Sequence, residues 1–390
     1  MANTRRWKQN TTWKFRDVLD QWRGLAQGTR LSIALGSLGI AAVCLGLSWW
    51  VVFSPGSGPQ DLTANTRVVL YTSTDAFLVT PIVKKFEEQT GLTVQVVGDT
   101  EATKTTGLVE RLLAEKAAPR CDVWWSNEAS GTVMLAKAGV LAEYSSKEEA
   151  KFGAAWPRHL RAQDRTWYGF AQRARVIAYN TNRVTKQSAP KTLRELTRPE
   201  WSGRVGMARP QFGTTRTHIA ALLVIHGPDA TREWLAGMRG NGVKIFDGNS
   251  SVARALSVGE IAVGLMDTDD ALSGKANAWP IDFNYEILDK PGTNIKGLPS
   301  LGPVVIPNTV GLIRGGPHPN EALRLANFLL SEEVERMLAT SDSRNVPIRE
   351  GLAKELKIDL IPNAAPATPE QCAQRLDEAD RLIAEFFPLQ

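Results

Sequence analysis

The segment GLMDTDDAL, residues 264–272, sets Asp267, Asp269 and Asp270 within four positions of one another behind an apolar run. Like charges this close repel, and solubility alone would be served by scattering them. Three carboxylates form a hard oxygen set suited to Fe(III), Ca²⁺ or Mn²⁺ rather than to soft metals. They can equally accept hydrogen bonds from hydroxyls or an ammonium group of an organic solute. A third reading makes them a helix start whose acids suit the helix dipole. Zinc chemistry has no support: the four histidines (159, 218, 226 and 318) form no HxxxH pair, and there is no CxxC. No nucleophile with a base and an orienting partner is identifiable, so no catalytic residue is expected, and a metal-dependent hydrolase stands only as a rival.

Similar oxygen-rich stretches recur at the ends of apolar runs: YTSTD (71–75), WWSNE (124–128), PQFGTT (210–215) and DGNSS (247–251). They nominate Ser73, Thr74, Asp75, Asn127, Thr214, Thr215 and Asn249 as ligand contacts, with Asp75 joining Asp267, Asp269 and Asp270 as a metal ligand. Taken singly, each is what a helix N-cap wants. Arg173 and Arg175 alternate in GFAQRARVIAYNT and so share one face of a strand, where they can pair a carboxylate or phosphate. Bracing a hinge is the competing role for Arg175. Trp124 and Trp125 are neighbours on a strand and therefore divide between core and pocket; Tyr71 belongs to the core.

Positioning these residues requires strands that deliver them to one edge. VVLYT, LTVQVVG, CDVWWS, GRVGMA, VKIFDG and AVGLM read as strands, each followed by a helical pattern such as Leu78, Ile82, Val83 and Phe86. Alternation of this kind predicts α/β architecture with parallel, doubly covered sheets, and such sheets bind ligands beyond their carboxyl ends. Two lobes are expected, 66–177 with 279–349 and 178–278, with hinges near 176–181 and 304–309. NEALRLANFLLSEEVERMLATS reads as one helix. The extension 350–390 ends in an amphipathic helix whose partner is not identifiable.

Composition narrows the class. With 43% apolar and 22% charged residues the chain is globular. Its net charge of +5 lies entirely in residues 1–30, which hold seven bases and two acids, so the body is neutral and nucleic acid is not an expected partner. Residues 31–53 are uncharged and long enough to span a bilayer, with the bases predicting a cytoplasmic tail. A retained membrane anchor is expected there; a cleaved signal is the alternative. Residues 54–65 are a Gly/Pro/Ser linker. Of the cysteines beyond the anchor, Cys121 and Cys372 read as two isolated thiols, with one disulfide as the alternative.

VVLYTSTD, CDVWWSNEASGTVMLAKAGVL, GFAQRARVIAYNT, GNSSVARALSVGEIAVGLMDTDDAL and VVIPNTVGLIRGGPHPNEALRLANFLLS, in that order across 68–349, resemble the periplasmic ferric-iron-binding protein family of ABC importers. The resemblance implies a type II periplasmic binding protein fold, two lobes closing on a ligand and delivering it to a membrane permease. It implies a substrate-binding protein with no obligatory cofactor, which the apolar segment 31–53 makes an extracytoplasmic, membrane-anchored one. Its ligand is Fe(III) or another hard cation with a synergistic anion, or alternatively a small organic or phosphorylated solute; a tethered sensor is a further alternative. The family's iron ligands are not kept. Asp75 replaces a histidine, Asn127 a glutamate (Glu128 is adjacent), and Asp269 with Asp270 a tyrosine pair. Arg173 matches an arginine that holds the anion in some relatives, and Asn249 and residues 213–215 fall where relatives bind an anion.

Overall fold

The computed structural model describes residues 67–99, 106–152, 156–289, 297–300 and 302–389. The tail, apolar segment and linker read at 1–65 lie outside these, and among the described residues no helix is long and apolar enough to cross a membrane.

Three parallel strands open the fold, β1 (Arg67–Thr72), β2 (Thr93–Gly98) and β3 (Val123–Ser126), in the order β2-β1-β3. α1 (Ala76–Thr90), α2 (Thr106–Ala114) and α3 (Ser130–Lys137) cover them. Because helices lie on both faces, neither side of β3 meets the solvent. Trp125 packs with Leu78, Ile82 and Phe86, whereas Trp124 packs with Leu108, Leu112 and Val133 on the opposite face. The expected division of the tryptophans between core and pocket is therefore corrected: both are 0% exposed. Their indole N–H groups are satisfied internally, by Thr132 Oγ1 at 2.8 Å for Trp124 and Asn308 Oδ1 at 3.3 Å for Trp125.

After β4 (Leu141–Ala142) and α4 (Lys147–Lys151) comes β5 (Tyr168–Asn180), thirteen residues that serve both halves of the molecule. Residues 168–174 pair with β10 (Val305–Ile313), and 175–180 pair with β8 (Val263–Asp267) and β9 (Ile281–Asn284). The second half contains β6 (Val205–Ala208), α5 (Gly213–Gly240), β7 (Lys244–Phe246), α6 (Asn249–Ser257) and α7 (Thr268–Ala276). Here β6 lies parallel between β7 and β8. The full strand path is β2-β1-β3-β10-β5-β8-β6-β7. The passage between halves thus falls within one unbroken strand at Ala174 and Arg175, and β9, past the division drawn at 278/279, pairs with the second half. Gly264 permits close approach of β8 to α6: a Cβ there would stand 2.7 Å from Val252 Cγ1.

The run after β10 is two helices rather than the single one expected. α8 (Pro319–Leu329) ends, and Ser331 accepts the N–H of Val334 to start α9 (Glu332–Thr340). A serine able to cap its own new helix outweighs the continuous apolar periodicity. α10 (Glu350–Leu356), α11 (Pro369–Gln374) and α12 (Leu376–Phe386) complete the chain. The terminal amphipathic helix finds its partner in α5: Leu376, Ala379, Leu382 and Ile383 enter the core built by Leu222, Trp234, Leu235 and Met238. Asp380 clasps Arg216 at 2.6 and 2.7 Å. Cys121 and Cys372 are separate, buried free thiols.

Candidate functional site

β1, β3, β6, β7 and β8 all aim their carboxyl ends at one cleft, and the residues that follow them line it. Asp75 and Asn127 come from the first half; Thr214, Thr215, Asn249, Asp267, Asp269 and Asp270 come from the second; Arg173 rises from the shared strand β5. Arg175 lies directly beneath. Ser73 and Thr74 are not brought to this cleft. Ser73 instead accepts the N–H of Asn127 and bonds its side chain, each at 3.1 Å, fixing the loop from behind, and with Thr74 it lines a different cavity beside α1.

The floor is a buried charge cluster. Across the β5–β8 ladder Arg175 faces Asp267. Arg175 Nη1 donates to Asp267 Oδ1 at 2.8 Å and Arg173 Nε to Asp267 Oδ2 at 3.0 Å, with all three side chains 2% exposed. Burial alone would raise the Asp267 pKa, but the Arg175 and Arg173 guanidiniums outweigh it and hold the carboxylate below its ordinary value. Likewise burial would lower the Arg173 value, yet Asp269 and Asp267 raise it above normal. Each charge is kept in the interior by the others. Arg175 also donates to Asn249 Oδ1 at 3.1 Å and Thr214 Oγ1 at 3.4 Å, tying the starts of α5 and α6 together. Beneath this layer His218 is held neutral, its pKa lowered to about 3 by burial and then by the Arg175 charge.

Above the floor, one carboxylate oxygen from each of Asp267, Asp269 and Asp270 falls within 4.8 Å of the others. Arg173 Nε stands 3.5 Å from Asp269 Oδ2. On the facing wall Gly213 (φ 56°) takes a left-handed backbone that turns the chain into α5, presenting Thr214 and Thr215 to the cleft. Among the described residues, Thr215 Oγ1 and Arg175 Nε and Nη2 are buried without hydrogen-bond partners. One wall therefore offers carboxylate oxygens and the other offers donors.

The helix starts around the cleft are not side-chain capped. Asp75 precedes α1, Phe212 α5, Gly248 α6 and Asp267 α7, and none of them makes a side-chain capping bond. That runs against the expectation that each oxygen-bearing exit, taken singly, is a cap. Glu128, adjacent to Asn127, is the one that caps: it is 2% exposed and accepts the N–H groups of Ser130 at 2.6 Å and Gly131 at 2.9 Å. Sequence reasoning missed Arg209 and Asp247, which also line the cleft and pair with each other at 2.9 Å along its second-half wall. Asp247 opens the exit DGNSS and Arg209 directly precedes the exit PQFGTT, and that position was their only signal.

The interior of this cleft is small, about 40 Å³, enough for an ion with one or two small companions. A second chamber of about 380 Å³ adjoins it, sharing Asp75, Asp269 and Asp270.

The family described as bacterial extracellular solute-binding protein matches residues 81–367. A relative from Serratia marcescens, named Fe(3+)-binding periplasmic protein, is 26% identical over 84% of this chain and 91% of its own length. Iron-bound HitA from Pseudomonas aeruginosa has the same fold, with a TM-score of 0.69 at 24% identity over 83% of this chain and 99% of its own. AfuA from Actinobacillus pleuropneumoniae, solved with fructose-6-phosphate, matches with a TM-score of 0.66 at 19% identity, over 83% and 99%.

Proposed function

The chain belongs to the bacterial extracellular solute-binding protein family, and on that premise we propose that it captures a hard cation, Fe(III) foremost, together with a small oxyanion, for an ABC importer. The observation that carries this reading is the convergence of Asp75 from one half with Asp269 and Asp270 from the other on a single narrow cleft. Carboxylates are hard donors that match such a cation. The names of relatives such as the Serratia protein lend support. Asp267 orients Arg173 and Arg175 rather than touching the cation, and the donors of Thr215, Arg175 and the α5 start receive the anion.

Binding would close the half that carries β1 and β3 onto the half that carries β6 and β8, the bound ions stabilising the closed arrangement through contacts absent from the open one. The protein acts as a binder and not as an enzyme, held at the outer face of the cytoplasmic membrane by residues 31–53 and docking on a permease. A second reading draws on the donor wall facing the acid wall: a small zwitterionic solute with an ammonium and a phosphate or carboxylate group fits both. Elemental analysis and native mass spectrometry of the full chain, purified without chelator, decide between them. Stoichiometric iron that is lost in Asp269→Ala and retained in Thr215→Val supports the cation reading; an organic mass with no metal overturns it.

A further inference from the structure

Resting on the cation reading, we infer that the cation is taken up as the complex of a small aromatic chelator, whose ring lies in the outer chamber between Phe77 and Trp279. Among the described residues Phe77 and Trp279 are the two aromatic side chains that stand exposed, at 56% and 37%. Both line the same cavity. They come from opposite halves: Phe77 is the second residue of α1, and Trp279 follows α7. Isolated apolar side chains at a surface are ordinary, but two aromatics on one hollow are a binding feature.

The chamber's position defines its occupant. It shares Asp75, Asp269 and Asp270 with the inner cleft, so a body resting there touches the carboxylates that we assign to the cation. The inner cleft, at about 40 Å³, has no room for an organic ring, whereas the chamber, at about 380 Å³, accommodates one. Ser273 supplies a hydroxyl on the same lining. A flat, unsaturated ring matches the two aromatic faces, and metal-chelating oxygens on that ring would point it toward the acids. The negative charge of these carboxylates would repel an anionic chelator by itself, so the metal is what makes the complex acceptable to this site.

The test uses the full chain and two ferric complexes, iron(III) with 2,3-dihydroxybenzoate and iron(III) with citrate, each titrated by calorimetry and by tryptophan fluorescence. The aromatic complex is expected to bind at least tenfold tighter than the citrate complex, about 1.4 kcal/mol, within the range of an aromatic contact. Phe77→Ala, an exposed position where folding is not at stake, and Trp279→Ala each remove that preference and leave citrate-complex affinity within twofold. Equal affinities for the two complexes, or equal losses for both in the variants, overturn the inference. Asp269→Ala separates it from the reading beneath: loss of both complexes without any aromatic preference sinks only the chamber, whereas unchanged binding of both sinks the cation site.

Discussion

Two of the helices that begin at the cleft and three of those that begin away from it place an oxygen-bearing residue at the N-cap, yet use it in opposite ways. Ser146, Ser331 and Thr368 each accept an N–H from the helix they start, and Thr368 completes a capping box with Gln371. Asp75 and Asp267 occupy the same position on α1 and α7 and make no such bond. A capped start spends its oxygen on its own backbone. An uncapped start leaves the positive end of its dipole unanswered by its own N-cap side chain, and four such starts surround one cleft. The contrast separates side chains that serve the backbone of their own helix from side chains that do not.

Asp267 is the member of the cleft group that should behave structurally, and it carries the largest expected effect. Asp267→Asn leaves Arg173 and Arg175 buried against a neutral side chain, and stability should fall by about 3–5 kcal/mol in urea unfolding. A loss below 1 kcal/mol would break the division between floor and wall.

Next is His218, six positions into α5. Its folded-state pKa of about 3 lies below the ordinary 6.5, so the unfolded chain takes up the proton first as pH falls. Its contribution is complete above about 6.5 and is lost progressively from there down toward 3, a few kcal/mol across the window. Urea midpoints at pH 7, 5.5 and 4 should decline for the natural chain, and less steeply for His218→Gln.

Asp75→Ala and Asp269→Ala test the contrast most directly. Ferric affinity should drop at least tenfold in calorimetry for both, while stability should change by no more than about 0.5 kcal/mol for Asp75→Ala, which caps no helix, and by more for Asp269→Ala, which takes a carboxylate away from buried Arg173. Thr368→Ala and Ser331→Ala should give the mirror result, a loss of about 1 kcal/mol with ferric affinity unchanged. Should Asp75→Ala cost as much stability as Thr368→Ala, the cleft starts would be ordinary caps after all.

The order of strands and helices was legible in the sequence because parallel strands buried on both faces, such as VVLYT and VWWS, read as continuous apolar runs. The exits after them were legible for the same reason, and nine of the nominated residues share the cleft. What escaped was fixed by tertiary context. Trp124 and Trp125 do alternate, but alternation across a doubly covered sheet sends both into cores. Ser73 faces Ser126 at 3.1 Å, a partner 53 positions away that no local pattern announces. That β5 runs through both halves without a break is invisible in a segment whose every residue suits a strand. The partnership of Arg209 with Asp247 depends on two strands lying side by side, which spacing along the chain does not encode.

The terminal helix has a consequence for how the molecule is made. Leu376, Leu382, Ile383 and Phe387 close a core whose other walls include Ile177 and Tyr179 in the middle of the chain. No nascent polypeptide lacking residues 376–387 can finish that core, so the second half is sealed only after they have been made. Until then the apolar side of α5 stays uncovered, a surface that quality-control chaperones and proteases recognise. A chain without those residues would therefore carry an open second half, even though every cleft residue was present.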